Sequence, residues 1–238
     1  MIYPRRVLTL AIEATNPNIP TPGVLLARDG RVLAEKALVS QGRHDDLLLP
    51  AISDVLGECG ATPRDLDDIL VSIGPGGFTA TRLACVAAAM LAEVGGARML
   101  AVPTAVVGWR SSLTDKEEAR SVVVALASKG EQSFITCFGG DNAHARQLGR
   151  SIGADAFRAM LTHHDVLLDD GRLPDSFETA ATESGVTRAA LRLSASGLLA
   201  SREFASLVDA GDLRPIYPRE PDAVTQWRAR HGRAPGDS

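Results

Sequence analysis

Hydrophobic positions in the first forty residues form short runs that predict β-strands. The apolar run at residues 7–12 is typical of a buried strand. Residues 23–28 and 31–39 predict two further strands, because Asp29 and Gly30 between them form a strong two-residue hairpin signal. The three strands therefore form an antiparallel meander, and the proline-rich segment at 16–23 breaks the chain between the first two.

Helical spacing of apolar side chains begins after the meander. Residues 45–59 predict a helix, and Pro50 within them indicates either a kink or a start near residue 49. The pattern then alternates between strand and helix. The elements it predicts are a strand at 69–73, a helix at 78–94, a strand at 98–102 and a helix at 104–112.

The second half of the chain repeats this order more weakly. The elements predicted there are strands at 121–127 and 133–138, a helix at 154–161, a strand at 166–168 and a long helical stretch at 188–208. Two meanders, each followed by alternating helices and strands, predict two related α/β lobes. We expect an N-terminal lobe at 1–104, a C-terminal lobe at 105–213 whose last helix packs back on the first lobe, and a surface tail at 214–238.

Composition and charge limit the class of protein and the kinds of partner that this chain can have. Apolar residues make up 45% and charged residues 23% of the chain, which excludes disorder and coiled coil as the main state. The net charge is −4, and the basic segment is the tail, with 5 basic and 3 acidic side chains, so the body is not expected to bind nucleic acid directly. No apolar run approaches the roughly 18 residues that span a bilayer. We therefore expect a cytoplasmic protein without a membrane contact.

The loop GPGGFTATR at 74–82 is the strongest local signal, and two interpretations fit it. Three glycines before a helix N-terminus are typical of a phosphate cradle. They are also typical of a tight turn that lets a strand and a helix pack closely. The loop lacks the Lys-Ser/Thr end of a P-loop and the full spacing of a dinucleotide fingerprint, which favours the turn.

The helix after this loop carries small side chains that allow close approach of a neighbour. Ala84, Ala88 and Leu91 lie near one face, and this face packs either on a partner or inside its own lobe. Candidate metal chemistry is weak, because His44 precedes two aspartates but the chain has no His-x-x-x-His pair. The three cysteines lack CxxC spacing and predict small buried hydrophobes. We expect no catalytic residue, metal or cofactor.

Four segments together carry a family resemblance. They are LAIEAT at 10–15, HDDLLLPAI at 44–52, GPGGFTATR at 74–82 and YPREPDA at 217–223. They resemble, in order, the LAIDTS opening, the His-x-x-x-Leu-Leu-Pro-x-Ile helix, the GPGSFTGLR loop and the closing Tyr-x-Arg-x-Pro-x-Ala of the bacterial TsaB family, also called YeaZ. The set reaches both ends of the chain, and the loop is fairly specific by itself.

The resemblance implies a fold, a function and an interface. The implied α/β fold is that of actin-like ATPases (ribonuclease H-like), with two lobes that each contain a mixed sheet flanked by helices. The implied function is a non-catalytic partner that activates TsaD in making threonylcarbamoyladenosine, beside the anticodon of tRNAs that read ANN codons. TsaE joins the same complex, tRNA is contacted only through the complex, and the TsaD face also forms a homodimer. The residues implied at this interface are His44, Leu48, Ile52, Gly74, Gly76, Phe78, Thr79, Arg82, Ala84, Ala88 and Leu91.

Two departures from the family pattern bear on the alternative functions. The Asp of the first motif is Glu13 here, and the middle motif reads LASKGEQS at 126–133, without the family's Asp, Arg and Tyr. One alternative is an enzyme of the same superfold, either an ATP-dependent phosphotransferase or a glycoprotease-type metalloprotease. An actin-like ATPase has Asp-x-Gly after its first strand, so Glu13 favours the scaffold. Another alternative is a paralogue with a different partner.

Overall fold

Two mixed β-sheets organise the chain. The computed structural model describes residues 6–16, 22–38, 45–112, 120–139 and 147–218. The first sheet contains β1 (Leu8–Glu13), β2 (Gly23–Arg28), β3 (Arg31–Ala37), β4 (Asp68–Ser72), β5 (Arg98–Val102) and β11 (Ser206–Val208). The second contains β6 (Val122–Lys129), β7 (Gln132–Phe138), β8 (Gln147–Ile152), β9 (Val166–Asp169) and β10 (Thr187–Ala190). The helices are α1 (Asp45–Glu58), α2 (Phe78–Gly95), α3 (Thr104–Ser112), α4 (Ala154–Leu161), α5 (Asp175–Ser184) and α6 (Ala195–Ala200).

The two sheets share one topology. The strand orders are β11-β5-β4-β1-β2-β3 and β10-β9-β6-β7-β8. In each sheet a three-stranded antiparallel meander is extended by two strands parallel to its first strand. This duplication is the actin-like architecture, and the predicted fold class is confirmed.

Helices cover the sheets on both faces, which explains why the central strands are buried along their whole length. Helices α1 and α2 pack on the outer face of the first sheet. Helices α3 and α6 lie between the two sheets, where Trp109 stacks on Phe138 with ring centroids 4.9 Å apart. Helices α4 and α5 cover the outer face of the second sheet. The molecule is therefore a five-layer stack.

Most predicted elements are confirmed to within a few residues, including the hairpin and all three helices of the first half. Helix α1 begins at Asp45 and continues through Pro50, so a start near residue 49 is wrong. The long helix predicted at 188–208 is also wrong. The chain forms β10, α6 and β11 there, because its apolar side chains fill the core between the sheets from several short elements. Strand β8 and helix α5 were not predicted.

The last part of the chain returns to the first lobe. Helix α6 packs beside β1, and β11 pairs antiparallel with β5. The backbone amide of Ile216 then donates to the carbonyl of Ile73, at 2.7 Å. The division into residues 1–104, 105–213 and 214–238 remains a proposal.

Helix α2 bears on the expectation that no segment of the chain is long and apolar enough to span a bilayer. With 18 residues, it is the one helix in the described ranges that is long and apolar enough to cross a bilayer by length and composition. A share of 33% of it is buried inside the protein, where its alanines pack on the first sheet. The apolar length is thus divided between a core face and an exposed face.

Candidate functional site

The loop at residues 74–77 lies against the end of β1 and the start of α3. The amide of Gly77 donates to the carbonyl of Thr15 at 2.6 Å, and the amide of Thr104 donates to the carbonyl of Gly74 at 2.8 Å. These bonds join three elements of the first lobe through backbone atoms alone. Two of the loop's backbone groups are therefore already engaged by the protein.

Close backbone approach explains the two glycines at the centre of this loop. A Cβ atom at Gly76 would overlap the carbonyl of Thr15. Gly74 has φ of +99°, and a Cβ there would lie 2.8 Å from the carbonyl oxygen of Ile216. The geometry is that of the tight turn, and the space in front of Gly76 is filled by Thr15.

A buried polar cluster lies behind the loop, at the carboxyl ends of β1 and β4. Both the amide and the hydroxyl of Thr15 donate to Oε1 of Glu13, at 2.8 and 2.6 Å. The hydroxyl of Thr104 lies 2.9 Å from that of Ser72 and donates to that of Thr15 at 3.2 Å. Burial raises the pKa of Glu13, while its bonds from Thr15 act in the opposite direction. The cluster therefore links the ends of β1 and β4 to the start of α3 through side-chain hydrogen bonds.

The alanines of α2 face the protein's own core. Ala84 and Ala88 are both 0% exposed, and Leu48 and Ile52 of α1 are buried beside them. Their small size lets α2 pack closely on β4. These four side chains are therefore buried in the core of the isolated chain, and their assignment to a partner interface remains a prediction.

A different stripe of α2 is exposed and apolar. Phe78 and Val86 are each 48% exposed, Met90 is 64% exposed and Val94 is 62% exposed. Leu49 on the neighbouring α1 is 58% exposed. Phe78, Val86, Met90 and Val94 lie four or eight residues apart along the exposed side of α2, and together with Leu49 we call them the α2 stripe. Leu49, Val86, Met90 and Val94 were not predicted, although the spacing of the last three by four residues, opposite the alanines, could have indicated them.

Apart from Leu91 and His44, the remaining predicted interface residues lie in the loop before α2 or at the N-terminal end of that helix. Thr79 and Arg82 are exposed there together with Phe78, whereas Leu91 is half-buried. The guanidinium of Arg82 lies 4.4 Å from the ring centroid of Phe78. The ring centroid of Tyr217 lies 5.1 Å from that of Phe78. This aromatic and cationic group continues the stripe at its N-terminal end. His44 lies outside the described residues.

Metal-binding side chains are scattered in the described part of the chain. No group of three or more His, Cys, Asp or Glu side chains is placed there to hold a metal ion. Burial raises the pKa of the Cys85 thiol to about 12 and that of the Cys137 thiol to about 11. Both are buried, as expected, and Cys59 is half-buried.

The fold and the stripe together define an actin-like, two-lobed protein with an exposed apolar helical face. The family model described as "TsaD: tRNA N6-adenosine threonylcarbamoyltransferase" matches residues 12–200. The chain belongs to this family.

Individual relatives and solved structures are similar to this chain. The chain is 34% identical over 83 residues to the tRNA threonylcarbamoyladenosine biosynthesis protein TsaB of Bacillus subtilis, and this match covers 35% of each chain. It is 35% identical over 80 residues to an uncharacterized protein of Mycobacterium tuberculosis, covering 34% of this chain and 37% of that one. The match thus spans little more than a third of these curated relatives. YeaZ from Pseudomonas aeruginosa shares the fold, with a TM-score of 0.66 and 21% identity over 89% of this chain and 99% of that chain. The resemblance to TsaB and YeaZ is confirmed.

Proposed function

We propose that this chain is a non-catalytic, cytoplasmic subunit that binds TsaD and supports it in forming threonylcarbamoyladenosine on tRNA. Family membership supplies the reaction, and the name of the Bacillus subtilis relative supplies the role in that biosynthesis. The observation that carries the proposal is the α2 stripe, because contiguous exposed apolar side chains mark surfaces that bind other proteins.

Covering the stripe supplies a substantial part of the free energy that association needs. Fully burying one large apolar side chain contributes roughly 1.5–3 kcal/mol. Because the stripe's side chains are about half exposed in the free protein, covering the five of them contributes about 4–7 kcal/mol. That sum is on the order of the cost of losing free translation and rotation, which is at least about 4 kcal/mol. A stable complex therefore needs this face together with further contacts.

The loop and the buried cluster support a role without catalysis. A phosphate at the GPGGFT loop would compete with the carbonyl of Thr15, which already accepts from Gly77. Glu13 stands where an actin-like ATPase has an Asp that works with magnesium, and its carboxyl is fully buried. The alternative of a phosphotransferase or a metalloprotease finds no comparable geometry to support it in the described residues.

The same face fits the other partners that the resemblance implies. Arg82 lies near the first turn of α2 and Glu93 near its last turn, and both are exposed. Two copies of α2 packed antiparallel would place each Arg82 beside the other copy's Glu93, which supports the proposed homodimer. A homodimer through this face competes with TsaD for it. TsaE and tRNA then contact this chain within the assembled complex.

Reconstitution tests the proposed function. TsaD of the same organism is combined with the other components of the pathway, with and without this chain, and the modified nucleoside is quantified in tRNA. We expect modification to rise several-fold when the chain is added, and TsaD to co-purify with it. Unchanged modification together with no co-purification would contradict the proposal. A preparation of TsaD alone with tRNA serves as the control for background turnover.

A further inference from the structure

A pocket in the second lobe brings two sulfur atoms and two imidazole rings together. It lies between the start of β6, the end of β7 and the end of α4, and its volume is about 320 Å³. Cys137, Met160, His163 and His164 are among the residues that line it. One water molecule occupies roughly 30 Å³ in the liquid, so these side chains face a space that holds a ligand.

The two sulfur atoms are already in contact. The thiol of Cys137 donates to the thioether sulfur of Met160, with the two atoms 3.1 Å apart. Two sulfur ligands at about 2.3 Å from one ion, at a trigonal angle, lie about 4 Å from each other. Met160 is half-buried, and its flexible, unbranched side chain allows the movement of about 1 Å that this separation requires.

The ring of His164 is oriented by a backbone carbonyl. Its Nδ1 atom lies 2.7 Å from the carbonyl oxygen of Met160. A carbonyl only accepts, so Nδ1 carries the hydrogen and the neutral ring has its lone pair on Nε2. A histidine that binds a metal through one nitrogen usually donates the other N–H in this way. The same bond ties the ring to the residue that carries the thioether.

The thiol of Cys137 limits the charge of an ion that the pocket can take. Burial raises the pKa of this thiol to about 11, while the charge of Arg150 acts in the opposite direction. The thiol therefore keeps its proton until a cation displaces it. A monovalent cation then forms a neutral pair with the thiolate, whereas a divalent cation leaves a net charge in a partly buried site, which is costly.

We propose that Cys137, Met160 and His164 form a binding site for a soft monovalent cation of the Cu(I) class. Thiolate and thioether sulfur together favour Cu(I), and imidazole also binds copper. Zn²⁺ is bound in proteins by thiolate, imidazole and carboxylate, without a thioether. On binding, a bond forms between the sulfur of Cys137 and the cation, the S–H bond breaks and the proton passes to solvent, with no change of oxidation state.

The thioether distinguishes this site from the metal clusters considered for the chain. Met160 supplies one of the three ligands, so the set differs from the groups of three His, Cys, Asp or Glu side chains that are absent from the described residues. The site lies in the second lobe, away from the α2 stripe, and the inference does not rest on the proposed function.

Competition for Cu(I) with a chromophoric chelator, under anaerobic conditions and without added thiols, tests the site in the full-length chain. Every protein carries Cys59→Ala, because this half-buried thiol of the first lobe would bind the same ion. The test variants in this parent are Cys137→Ala, Met160→Leu and His164→Ala. The matched controls are Cys85→Ala, which removes a buried thiol of the first lobe, and Met90→Leu, which changes an exposed methionine. Circular dichroism shows that each variant is folded.

We expect the parent to withdraw about one equivalent of Cu(I) from the chelator, and Cys137→Ala to withdraw none. Met160→Leu and His164→Ala should bind about tenfold or more weakly, whereas the two controls stay within about twofold of the parent. Bound Cu(I) also raises the Tm of the parent, because it binds the folded chain.

Four results would overturn the inference. They are a parent that withdraws no Cu(I), a Met160→Leu variant that binds like the parent, loss of binding in Cys85→Ala with retention in Cys137→Ala, and Zn²⁺ binding tighter than that of Cu(I). If Cys137→Ala does not fold, Met160→Leu decides, because this exchange nearly conserves volume.

Discussion

Replacing Ala88 by Glu is expected to disrupt the first lobe itself. Ala88 is 0% exposed, on the face of α2 that packs against the first sheet. Overpacking at such a site costs roughly 1–3 kcal/mol, and an unpaired buried charge costs about 3–5 kcal/mol. The sum of about 4–8 kcal/mol is comparable with the whole stability of a domain, which is roughly 5–15 kcal/mol.

The matched variant is Met90→Glu, two residues further along the same helix. Met90 is 64% exposed, and surface substitutions change the free energy of unfolding by about 0.5 kcal/mol or less. Thermal unfolding followed by circular dichroism measures both variants. At roughly 2–4 °C per kcal/mol for a chain of this size, Ala88→Glu lowers Tm by about 10 °C or more. Met90→Glu shifts Tm by less than about 2 °C.

A milder variant keeps this test informative if Ala88→Glu does not fold at all. Ala88→Val adds volume without charge, so the overpacking cost alone applies, at about 1–3 kcal/mol. The reasoning about the two faces of α2 would be refuted by an Ala88→Glu protein that melts with the wild type. It would equally be refuted by a Met90→Glu protein that fails to fold.

Two further predictions concern the loop and the buried cluster. Gly76→Ala is expected to lower the midpoint of urea unfolding, because its Cβ would overlap the carbonyl of Thr15. The control Gly57→Ala, with open space around its Cβ, is expected to keep or raise that midpoint. Equal midpoints for the two variants would show that the loop accommodates the added Cβ without cost. The raised pKa of Glu13 means that the folded protein retains a proton that the unfolded chain releases near the ordinary value of 4.5. Its contribution to stability is therefore full below that pH and is lost as pH rises through the native pKa. Glu13→Gln, which keeps a neutral acceptor, should reduce this decline in pH-dependent urea unfolding, and identical pH profiles would contradict the assignment.

Local signals predicted the first lobe well. Asp29 and Gly30 form the hairpin turn, with φ of 52° and 79°, as their sequence indicated. The meander and the helices α1, α2 and α3 follow from local periodicity, because each presents one dominant face to a core. The loop glycines also behaved as the pattern favoured, since close backbone approach is a local requirement.

Local signals failed where several short elements share one core. Leu191, Leu193, Ala195 and Leu198 are all buried between the two sheets, and the spacing of Leu191, Ala195 and Leu198 imitates one side of a helix. In the fold Leu191 and Leu193 lie in the connection after β10, and Ala195 and Leu198 lie in α6. The pattern shows that these positions are buried, but it does not show that a connection and a short helix bury them together.

The candidate interface was predicted from the small residues of α2, whereas the exposed apolar side chains of this helix lie on its other side. Small residues such as Ala84 and Ala88 indicate close packing, but they do not indicate what packs against them. In the fold that neighbour is the chain's own first sheet. The outer face is set by Val86, Met90 and Val94, whose exposure depends on where α1 and the first sheet lie.

The affinity of Met90→Glu for TsaD tests the central claim most directly. Leu207→Glu is the control, because Leu207 is 69% exposed and alternates along β11 with Val208, which packs on the α2 side of the first sheet. Loss of a central contact in an interface costs about 2 kcal/mol or more, so we predict that Met90→Glu binds TsaD about thirtyfold more weakly or worse, while Leu207→Glu binds like the wild type. Equal affinity of Met90→Glu and the wild type would contradict the account, since the α2 stripe would then not be the surface that holds the partner.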